Sequence, residues 1–315
     1  MAERQPSEDV NEGTPHNVWS KDNLGKMSTE SCKTVAAVRA VNTVDPTVEF
    51  QEPLAAYLAG DEWVTRVKAH QTQMERYNKG IIDPISCRCL QLDEAIIQVC
   101  EQGNIHQVVV LGAGMDTRPY RLDLPKVKWF EVDVPDMSNY KKEKIEMVPA
   151  GLKNYAVLKT QSHRYVPLDL ATSLSRLVPG LDAAGLDRKS PILYVAEGLV
   201  YYLTTDENMS LLDALPAPSG SQALITCISP GVVSSLSTPA AKAKNLSVDS
   251  ILASWKLNSE EYKVNVVGRS QHWRLDGERN ISEEAIKRGC VLADIFGVDA
   301  AEASEYLLLL SRNLS

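Results

Sequence analysis

The sequence lacks two features that would indicate a membrane protein or a nucleic-acid-binding protein. It contains no uninterrupted run of about 18 apolar residues, the length that is needed to cross a bilayer. Its 33 lysines and arginines are outnumbered by 41 aspartates and glutamates, so the net charge is -8. No overall basic field is therefore present to attract phosphate backbones or anionic lipids. We expect neither a nucleic acid nor a membrane among the partners.

Cysteine pairs of the kind that hold zinc are also missing. The six cysteines form no CxxC pair, and the one close pair, Cys87 and Cys89, has no nearby histidine. We therefore expect reduced thiols, no metal and a cytoplasmic protein. Residues 1–23 are too polar and acidic for a signal or transit peptide, and we expect them to form a disordered tail.

What is present is a helical front followed by alternating strands and helices. At 315 residues, 44% of them hydrophobic, the chain can bury the core of one large α/β domain or of two modest ones. Apolar spacing and capping residues predict helices at residues 29–44, 53–60 and 85–103. This front is too long to be a linker and could form a cap over a ligand site.

From residue 106 onward, the alternation of strands with helices predicts a doubly wound, mostly parallel sheet. The predicted strands are at residues 107–111, 127–132, 164–168, 191–196 and 221–228. A capped amphipathic helix is predicted at residues 205–215. Residues 231–260 interrupt the alternation and are interpreted as an insertion or lid. Further elements are predicted at residues 262–267, 282–289 and 306–310, the second a helix and the last a strand.

The most informative stretch begins at Val108 and includes a glycine turn. Four apolar residues, Val108 to Leu111, predict a buried parallel strand. Gly112-Ala-Gly114 then predicts a tight turn at which the backbone can approach a ligand. Asp133 lies 21 positions after Gly112, about where nucleotide-binding α/β folds place a carboxylate on ribose hydroxyls.

The glycine turn is incomplete as a dinucleotide fingerprint. The third glycine of GxGxxG, which lets a helix pack closely and receive a pyrophosphate, is replaced by Thr117. S-adenosylmethionine has an adenosine and a ribose but no phosphate, so it needs only the close turn and the ribose acid. The spacing therefore favours a methyltransferase over a dehydrogenase.

Two more acids, Asp169 and Glu197, each follow a predicted strand. In an open parallel sheet, residues just past the carboxyl ends of the strands line the ligand crevice, so both are expected to lie near Asp133. The alternative for each of them is that it caps the helix that follows. Three acids at successive strand ends favour the functional interpretation.

Together these motifs resemble the leucine carboxyl methyltransferase family, a group of class I S-adenosylmethionine-dependent enzymes that includes the phosphatase carboxyl methyltransferase and many bacterial and fungal O-methyltransferases. The resemblance covers residues 28–228 and is carried by 111–117 with Arg121-Leu122, 130–135 with Lys141 or Lys142, Ala196-Glu197, 200–203, Lys33 and Arg88. It implies an α/β fold with a doubly wound, seven-stranded, mostly parallel, Rossmann-like sheet. It also implies S-adenosyl-L-methionine as the cofactor.

The resemblance further implies one methyltransferase domain at residues 24–315. Its parts would be a helical cap at 24–104, a cofactor-binding core at 105–230, and a lid insertion with the last part of the sheet at 231–315. We expect a monomer or a homodimer.

Site residues are implied in the same way. Arg88 and Lys33 would hold the methionyl carboxylate, a task that suits a forked cation able to bind two oxygens at once. Without the resemblance, Arg88 would be interpreted as a surface salt bridge and Lys33 as an exposed helix residue.

The remaining cofactor contacts follow the chain order. Gly112 would let the backbone approach the methionyl part, and Asp133 would bind the ribose hydroxyls. Asp169 and Leu170 would frame the adenine, the first by a hydrogen bond and the second mainly by packing. Glu197 would face the amino group of the cofactor.

The acceptor is the part that the residues describe least. Because the chain after Cys227 does not resemble the phosphatase-modifying enzymes, a small-molecule hydroxyl or carboxylate is preferred. The alternatives are the C-terminal carboxylate of a phosphatase catalytic subunit, and a protein that binds the cofactor without catalysis. A carboxylate acceptor needs no base, whereas an alcohol or a phenol would benefit from one.

Candidates for that base are Tyr202, with its neighbour Tyr201, and His272. His272 is equally well interpreted as a solvent-exposed residue. Three aromatic residues in the poorly matched section could shape an acceptor pocket, although core packing is their commoner role. They are Trp255, Tyr262 and Trp273.

Overall fold

The computed structural model describes residues 21–42, 52–75, 84–102, 105–236, 255–290, 292 and 302–312. Within these residues, seven strands form one sheet. They are β1 (Gln107–Leu111), β2 (Leu124–Asp133), β3 (Thr160–Pro167), β4 (Leu193–Ala196), β5 (Gln222–Ile228), β6 (Trp273–Asn280) and β7 (Glu305–Arg312). Their spatial order is β3-β2-β1-β4-β5-β7-β6. The first five strands are parallel, and β7 runs antiparallel between β5 and β6.

The helices of the described residues lie in front of the sheet in the sequence and between its strands. They are α1 (Lys21–Asn42), α2 (Ala55–Ala59), α3 (Asp61–Glu75), α4 (Pro84–Gln102), α5 (Arg118–Arg121), α6 (Pro135–Glu146), α7 (Leu177–Ala183), α8 (Thr205–Ala214), α9 (Pro230–Leu236), α10 (Ser259–Glu261) and α11 (Ile281–Lys287). Helix α8 begins with a capping box between Thr204 and Glu207.

Alternate residues of the central strands face two apolar layers. On β1, Val109 and Leu111 pack with α7 and α8, whereas Val108 and Val110 pack with α4 and α11. A strand that is covered on both faces is apolar throughout, which explains the run Val108–Leu111. Because β1 to β5 are parallel, their carboxyl ends lie at one edge of the sheet, which we call the carboxyl edge.

The helical front divides into two parts. Helix α4 packs its apolar stripe, including Leu92, Ile96 and Cys100, against one face of the sheet. Helix α4 therefore belongs to the core. The sequence had instead predicted that all of residues 24–104 would form a cap. In contrast, α1 and α2 pack with the loop after β1 and with α6, next to the carboxyl edge.

The sequence-based elements agree with the structure in the parallel part of the sheet. The five predicted strands are present, β1 with the predicted bounds and the other four with shifted ends, whereas β6, α3 and α6 were not predicted. Residues 262–266 form a π-helix. Helix α1 already begins at Lys21, inside the segment expected to be a tail, and residues 1–20 lie outside the described residues. Most of the suggested lid, residues 237–254, also lies outside them.

No described helix is long and apolar enough to span a bilayer. Among the residues that the structure covers, no cluster of three or more His, Cys, Asp or Glu side chains is arranged to hold a metal ion. None of the six cysteines, all of which lie within the described residues, forms a disulfide; they are Cys32, Cys87, Cys89, Cys100, Cys227 and Cys290.

Candidate active site

The glycine turn after β1 lies at the carboxyl edge and has a backbone that favours glycine. Gly112 and Gly114 have φ angles of 67° and 48°, in the left-handed region. A Cβ atom on Gly112 would lie 3.1 Å from the Leu199 side chain, and one on Gly114 would lie 2.8 Å from Cys32 Sγ. The two glycines thus let the chain after β4 and helix α1 approach the turn closely.

Asp133 ends β2 and points its carboxylate at this turn. Its Oδ2 accepts a hydrogen bond from the Gly114 N–H at 2.6 Å, and its Oδ1 accepts one from the Val134 N–H at 2.7 Å. Burial raises the pKa of Asp133 to about 6, although the two backbone N–H groups act in the opposite direction. The carboxylate is therefore ionised at neutral pH and can accept further hydrogen bonds beside the turn. This environment fits the ribose hydroxyls of S-adenosylmethionine.

Glu197 follows β4 and lies between two arginines. Arg88 Nε donates to Glu197 Oε1 at 2.9 Å, and Arg118 Nη2 lies 2.8 Å from Glu197 Oε2. The Cys89 thiol donates to the same Oε1 at 3.2 Å. Burial alone would raise the pKa of Glu197, but the charges of Arg118 and Arg88 outweigh burial and hold the pKa well below its usual range. Glu197 is thus a permanently charged acceptor.

The two arginines connect Glu197 to three other carboxylates. Arg88 Nη1 donates to Glu305 Oε1 at 2.7 Å, and Glu305 is the first residue of β7. Arg118 donates to Asp93 Oδ1 at 2.6 Å and to Asp116 Oδ2 at 2.9 Å. The Arg88 side chain is only 6% exposed, so it is not a surface salt bridge. We call Arg88, Arg118, Asp93, Asp116, Glu197 and Glu305 the charge network.

A third buried arginine ties the helical front to the glycine turn. Arg39 of α1 donates to the Met115 carbonyl at 2.9 Å, and its Nε lies 2.9 Å from Glu52 Oε2. The Thr117 hydroxyl donates to Glu52 Oε1 at 2.8 Å. The arrangement holds α1 against the loop that follows Gly114, although the sequence reasoning had not assigned Arg39 or Glu52 to the site.

Lys33 lies on α1, one residue from the thiol that contacts the turn. Its side chain is half-buried, and its Nζ lies 4.8 Å from the centroid of the Tyr140 ring. This distance is that of a cation–π contact. The structure therefore places Lys33 next to the turn but outside the charge network of Arg88.

Asp169 and Leu170 follow β3 at the same edge. The N–H of Leu168 donates to the Asp133 carbonyl at 2.7 Å, so the ends of β2 and β3 are adjacent. Asp169 Oδ1 accepts the N–H of Ala171 at 2.9 Å and so closes the turn after β3; it does not cap the following helix, whose N-cap is Ser173. Leu170 is half-buried and packs on the apolar layer.

The two candidate bases lie at opposite edges of the sheet. Tyr202 is in the short helix Val200–Tyr202 after β4 and is 36% exposed. His272 precedes β6, where Trp273 is paired with Arg312 at the end of β7. Because β7 is antiparallel to β5, that end of β7 lies at the amino edge of the parallel strands. The structure therefore does not bring His272 to the other site residues.

Residues 33–216 match the model of a family described as leucine carboxyl methyltransferase. A protein of Mycolicibacterium gilvum, named as an S-adenosyl-L-methionine-dependent methyltransferase, is 30% identical over 234 residues, which cover 70% of this chain and 71% of that protein. A protein of Frankia alni with the same kind of name is 33% identical over 208 residues, covering 63% and 68%.

Solved structures share the architecture at low sequence identity. A DUF574 family protein from Streptomyces avermitilis superposes with a TM-score of 0.55 at 14% identity, covering 90% of this chain and 97% of that chain. A protein from Thermobifida fusca, described as a methyltransferase, gives a TM-score of 0.51 at 14% identity, covering 90% and 94%. The predicted doubly wound, mostly parallel fold is confirmed.

Proposed function

Since the chain belongs to the leucine carboxyl methyltransferase family, we propose that it methylates an oxygen of a small molecule, either a hydroxyl or a carboxylate. Its relatives are S-adenosylmethionine-dependent methyltransferases by name, and the cofactor and the enzyme class predicted from the sequence are confirmed. One observation supports the choice of acceptor. The matched residues 33–216 include every candidate cofactor residue, whereas residues 217–315, which include Trp255 and Glu305, lie outside the match. The chain therefore shares the cofactor part with the family model, and the part that we expect to contact the acceptor is its own.

Asp133 is the residue that we propose for the ribose. Its carboxylate is buried next to the glycine turn and accepts one backbone N–H on each oxygen. Each oxygen can accept a further hydrogen bond, which the ribose hydroxyls would donate. Gly112 would give the methionyl part its close approach to the backbone. Asp169 and Leu170, at the adjacent strand end, would frame the adenine.

Arg88 and Glu197 are proposed for the charged end of the cofactor. Two of the three guanidinium nitrogens of Arg88 are bonded to carboxylates, and Nη2 lies 3.8 Å from the position of a Cβ on Gly198. The methionyl carboxylate would bind this nitrogen, with Lys33 as a second cation. Glu197, which stays ionised, would face the amino group.

S-adenosylmethionine supplies a methyl group that is already activated by a positively charged sulfur, so positioning accounts for most of the acceleration. The residues of this chain would therefore orient the acceptor and exclude water. A low pKa makes Glu197 a poor base. Of the two candidate bases, Tyr202 remains in this proposal, because His272 lies at the other edge.

The proposal is tested with labelled S-adenosylmethionine. Binding is measured first, as an increase in the thermal midpoint that NAD does not produce. The protein is then incubated with a metabolite extract and, separately, with a phosphatase catalytic subunit. Label in small molecules supports the proposal. Label only in the protein, released by mild base, would establish carboxyl methylation of a protein instead, and no label in either would establish a binding protein.

A further inference from the structure

An aromatic cluster lies beside the charge network at the carboxyl edge. Its members are Tyr201, Tyr202 and Trp255. The Tyr201 ring lies 4.8 Å from the Tyr202 ring and 5.6 Å from the Trp255 ring, the latter in an edge-to-face arrangement. Tyr201 is 6% exposed and forms the base of the cluster, whereas Tyr202 is 36% exposed and Trp255 is half-buried. The cluster therefore presents aromatic surface to solvent.

The cluster adjoins the place where the cofactor is expected. Leu199, two residues before Tyr201, contacts the backbone of Gly112 closely enough that a Cβ there would be 3.1 Å away. The Tyr201 hydroxyl lies 3.4 Å from the position of a Cβ on Gly198. The Lys256 N–H donates to the Tyr201 carbonyl at 2.7 Å and fixes Trp255 next to Tyr201.

Trp255 has an unused hydrogen-bond donor. Its indole N–H is buried and has no hydrogen-bond partner within the part of the chain that the structure describes. Buried donors in native proteins are normally paired, so an unpaired one indicates a water or a ligand. The other two aromatic residues of this section serve the core: Trp273 donates to the Leu212 carbonyl at 3.2 Å, and Tyr262 is buried in the apolar layer.

The charges around the cluster disfavour an anionic acceptor. Arg88 is already bonded to Glu197 and Glu305, and Lys256 Nζ lies 3.6 Å from Glu207 Oε2. A carboxylate acceptor would add a further negative charge beside Glu197, Glu305 and the methionyl carboxylate proposed for Arg88, and both Arg88 and Lys256 would already be paired with other carboxylates. A neutral acceptor avoids that repulsion.

We propose that the acceptor is a neutral phenol, whose ring packs on the aromatic cluster and whose oxygen accepts the indole N–H of Trp255. This inference rests on the proposed function and narrows it. In the reaction, the phenol oxygen forms a bond to the methyl carbon, the carbon–sulfur bond breaks with its electron pair left on sulfur, and the phenol proton passes to the hydroxyl oxygen of Tyr202, which releases its own proton to water at its exposed side. Burial raises the pKa of Tyr201 well above its usual range, so Tyr201 stays protonated and orients the ring.

A pair of probes with the same ring tests the class of acceptor. We expect 2-naphthol to bind in the presence of S-adenosylhomocysteine, measured by calorimetry, and to be methylated by S-adenosylmethionine. We expect 2-naphthoate to bind at least tenfold more weakly. Preferential binding or methylation of 2-naphthoate, or no binding of 2-naphthol, would overturn the inference. If the metabolite extract is nevertheless labelled, the proposed function stands without it.

Trp255→Phe tests the donor, because it keeps an aromatic ring and removes the N–H. We expect the dissociation constant of 2-naphthol to rise about tenfold, the usual order for one hydrogen bond, with an unchanged affinity for S-adenosylmethionine. Trp63→Phe is the matched control, since Trp63 is half-buried on α3 and stacks with Arg66 away from the cluster. Wild-type affinity of Trp255→Phe for 2-naphthol would remove Trp255 from the acceptor site. An equal loss in both variants would show a general structural effect and would do the same.

Discussion

Asp133 and Glu197 occupy equivalent places in the sheet, yet their surroundings shift their pKa values in opposite directions. Each is a largely buried carboxylate just at or past the carboxyl end of a parallel strand, β2 or β4. Burial raises the pKa of Asp133 to about 6 because its partners are two neutral N–H groups. Around Glu197 burial acts in the same direction, but Arg118 and Arg88 outweigh it and hold the pKa well below the usual range.

The difference indicates two kinds of binding surface in one crevice. Glu197 is already ion-paired with Arg88 and Arg118 before any ligand arrives. The Asp133 end holds a charge that burial disfavours, and hydroxyl donors from a ligand would relieve this cost. We therefore expect substitution of Arg118, which has no proposed cofactor contact, to affect mainly the stability of the fold, and substitutions of Asp133 to affect mainly cofactor affinity.

The largest effect is expected from Arg118→Met. Removal of this guanidinium leaves Asp116 without its ion-pair partner and weakens the pairing of Asp93 and Glu197. Breaking one side of a buried ion pair typically costs about 3–5 kcal/mol. Urea denaturation measures the free energy of unfolding.

The matched control is Arg188→Met. Arg188 forms an ion pair with Asp182 at 3.0 Å on the surface, where both side chains are more than a third exposed. Such pairs contribute about 0–1 kcal/mol. If the two variants lost equal stability, the charge network would not be the stabilising element that the comparison describes.

The second effect is on affinity. Asp133→Ala removes the acceptor proposed for the ribose hydroxyls, so the dissociation constant of S-adenosylmethionine should rise at least tenfold, about 1.4 kcal/mol. Isothermal titration calorimetry measures it. Asp187→Ala, an exposed aspartate bonded to Ser190, serves as the control. Unchanged affinity in Asp133→Ala would place the ribose acid elsewhere.

The sequence predicted the Asp133 side of this comparison better than the Glu197 side. The glycine turn and Asp133 are separated by one helix and one strand, so their spacing alone predicts that they meet. Glu305, in contrast, reaches Arg88 from 217 positions away. Such a contact depends on the antiparallel insertion of β7, which no local pattern encodes.

The same limit explains the other misplacements. His272 was a candidate base because β6 was not recognised. The sequence of β6, Trp-Arg-Leu-Asp-Gly-Glu-Arg-Asn, is mostly polar, since β6 is an edge strand and exposes most of its side chains. Arg39 was missed for a related reason: a single arginine in an otherwise apolar helical stretch gives no indication of its partner Glu52.

A pH titration distinguishes the two carboxylates, Asp133 and Glu197. The pKa of Asp133 is raised from 3.8 to about 6 in the folded protein, so its stabilising contribution is complete below about pH 4 and is lost as the pH rises through 6. Cofactor affinity should change in the opposite sense, because only the ionised carboxylate accepts two ribose hydroxyls. Below pH 6, the dissociation constant should rise about tenfold per pH unit.

Asp133→Asn removes this titration and is the control. Its affinity for S-adenosylmethionine should show no step near pH 6. Calorimetry between about pH 5 and pH 8, roughly one to two units on either side of the pKa, measures this. Glu197 contributes in the reverse sense: its pKa is lowered from 4.5, so its stabilisation is present above pH 4.5 and is lost as the pH falls through the lower, folded value. A step that persists in Asp133→Asn would assign the titration to another group.

The smallest effect is expected for the difference between two glycine substitutions, which separates close packing from backbone strain. Gly114→Ala, at a positive φ of 48°, places its Cβ 2.8 Å from Cys32 Sγ, whereas Gly185→Ala, at the glycine that ends α7 with a positive φ of 95°, meets nothing within 4 Å. Both variants pay the strain of a left-handed residue, about 1–2 kcal/mol, and only Gly114→Ala adds the contact with α1. Thermal denaturation should therefore show the lower midpoint for Gly114→Ala, and adding Cys32→Ala to Gly114→Ala should remove the difference between the two glycine variants but not the strain that they share. Gly114 also donates its N–H to Asp133. A loss of cofactor affinity in Gly114→Ala that Cys32→Ala relieves would therefore connect the packing of α1 to the ribose end of the crevice. Equal midpoints for the two glycine variants would contradict the close approach of α1.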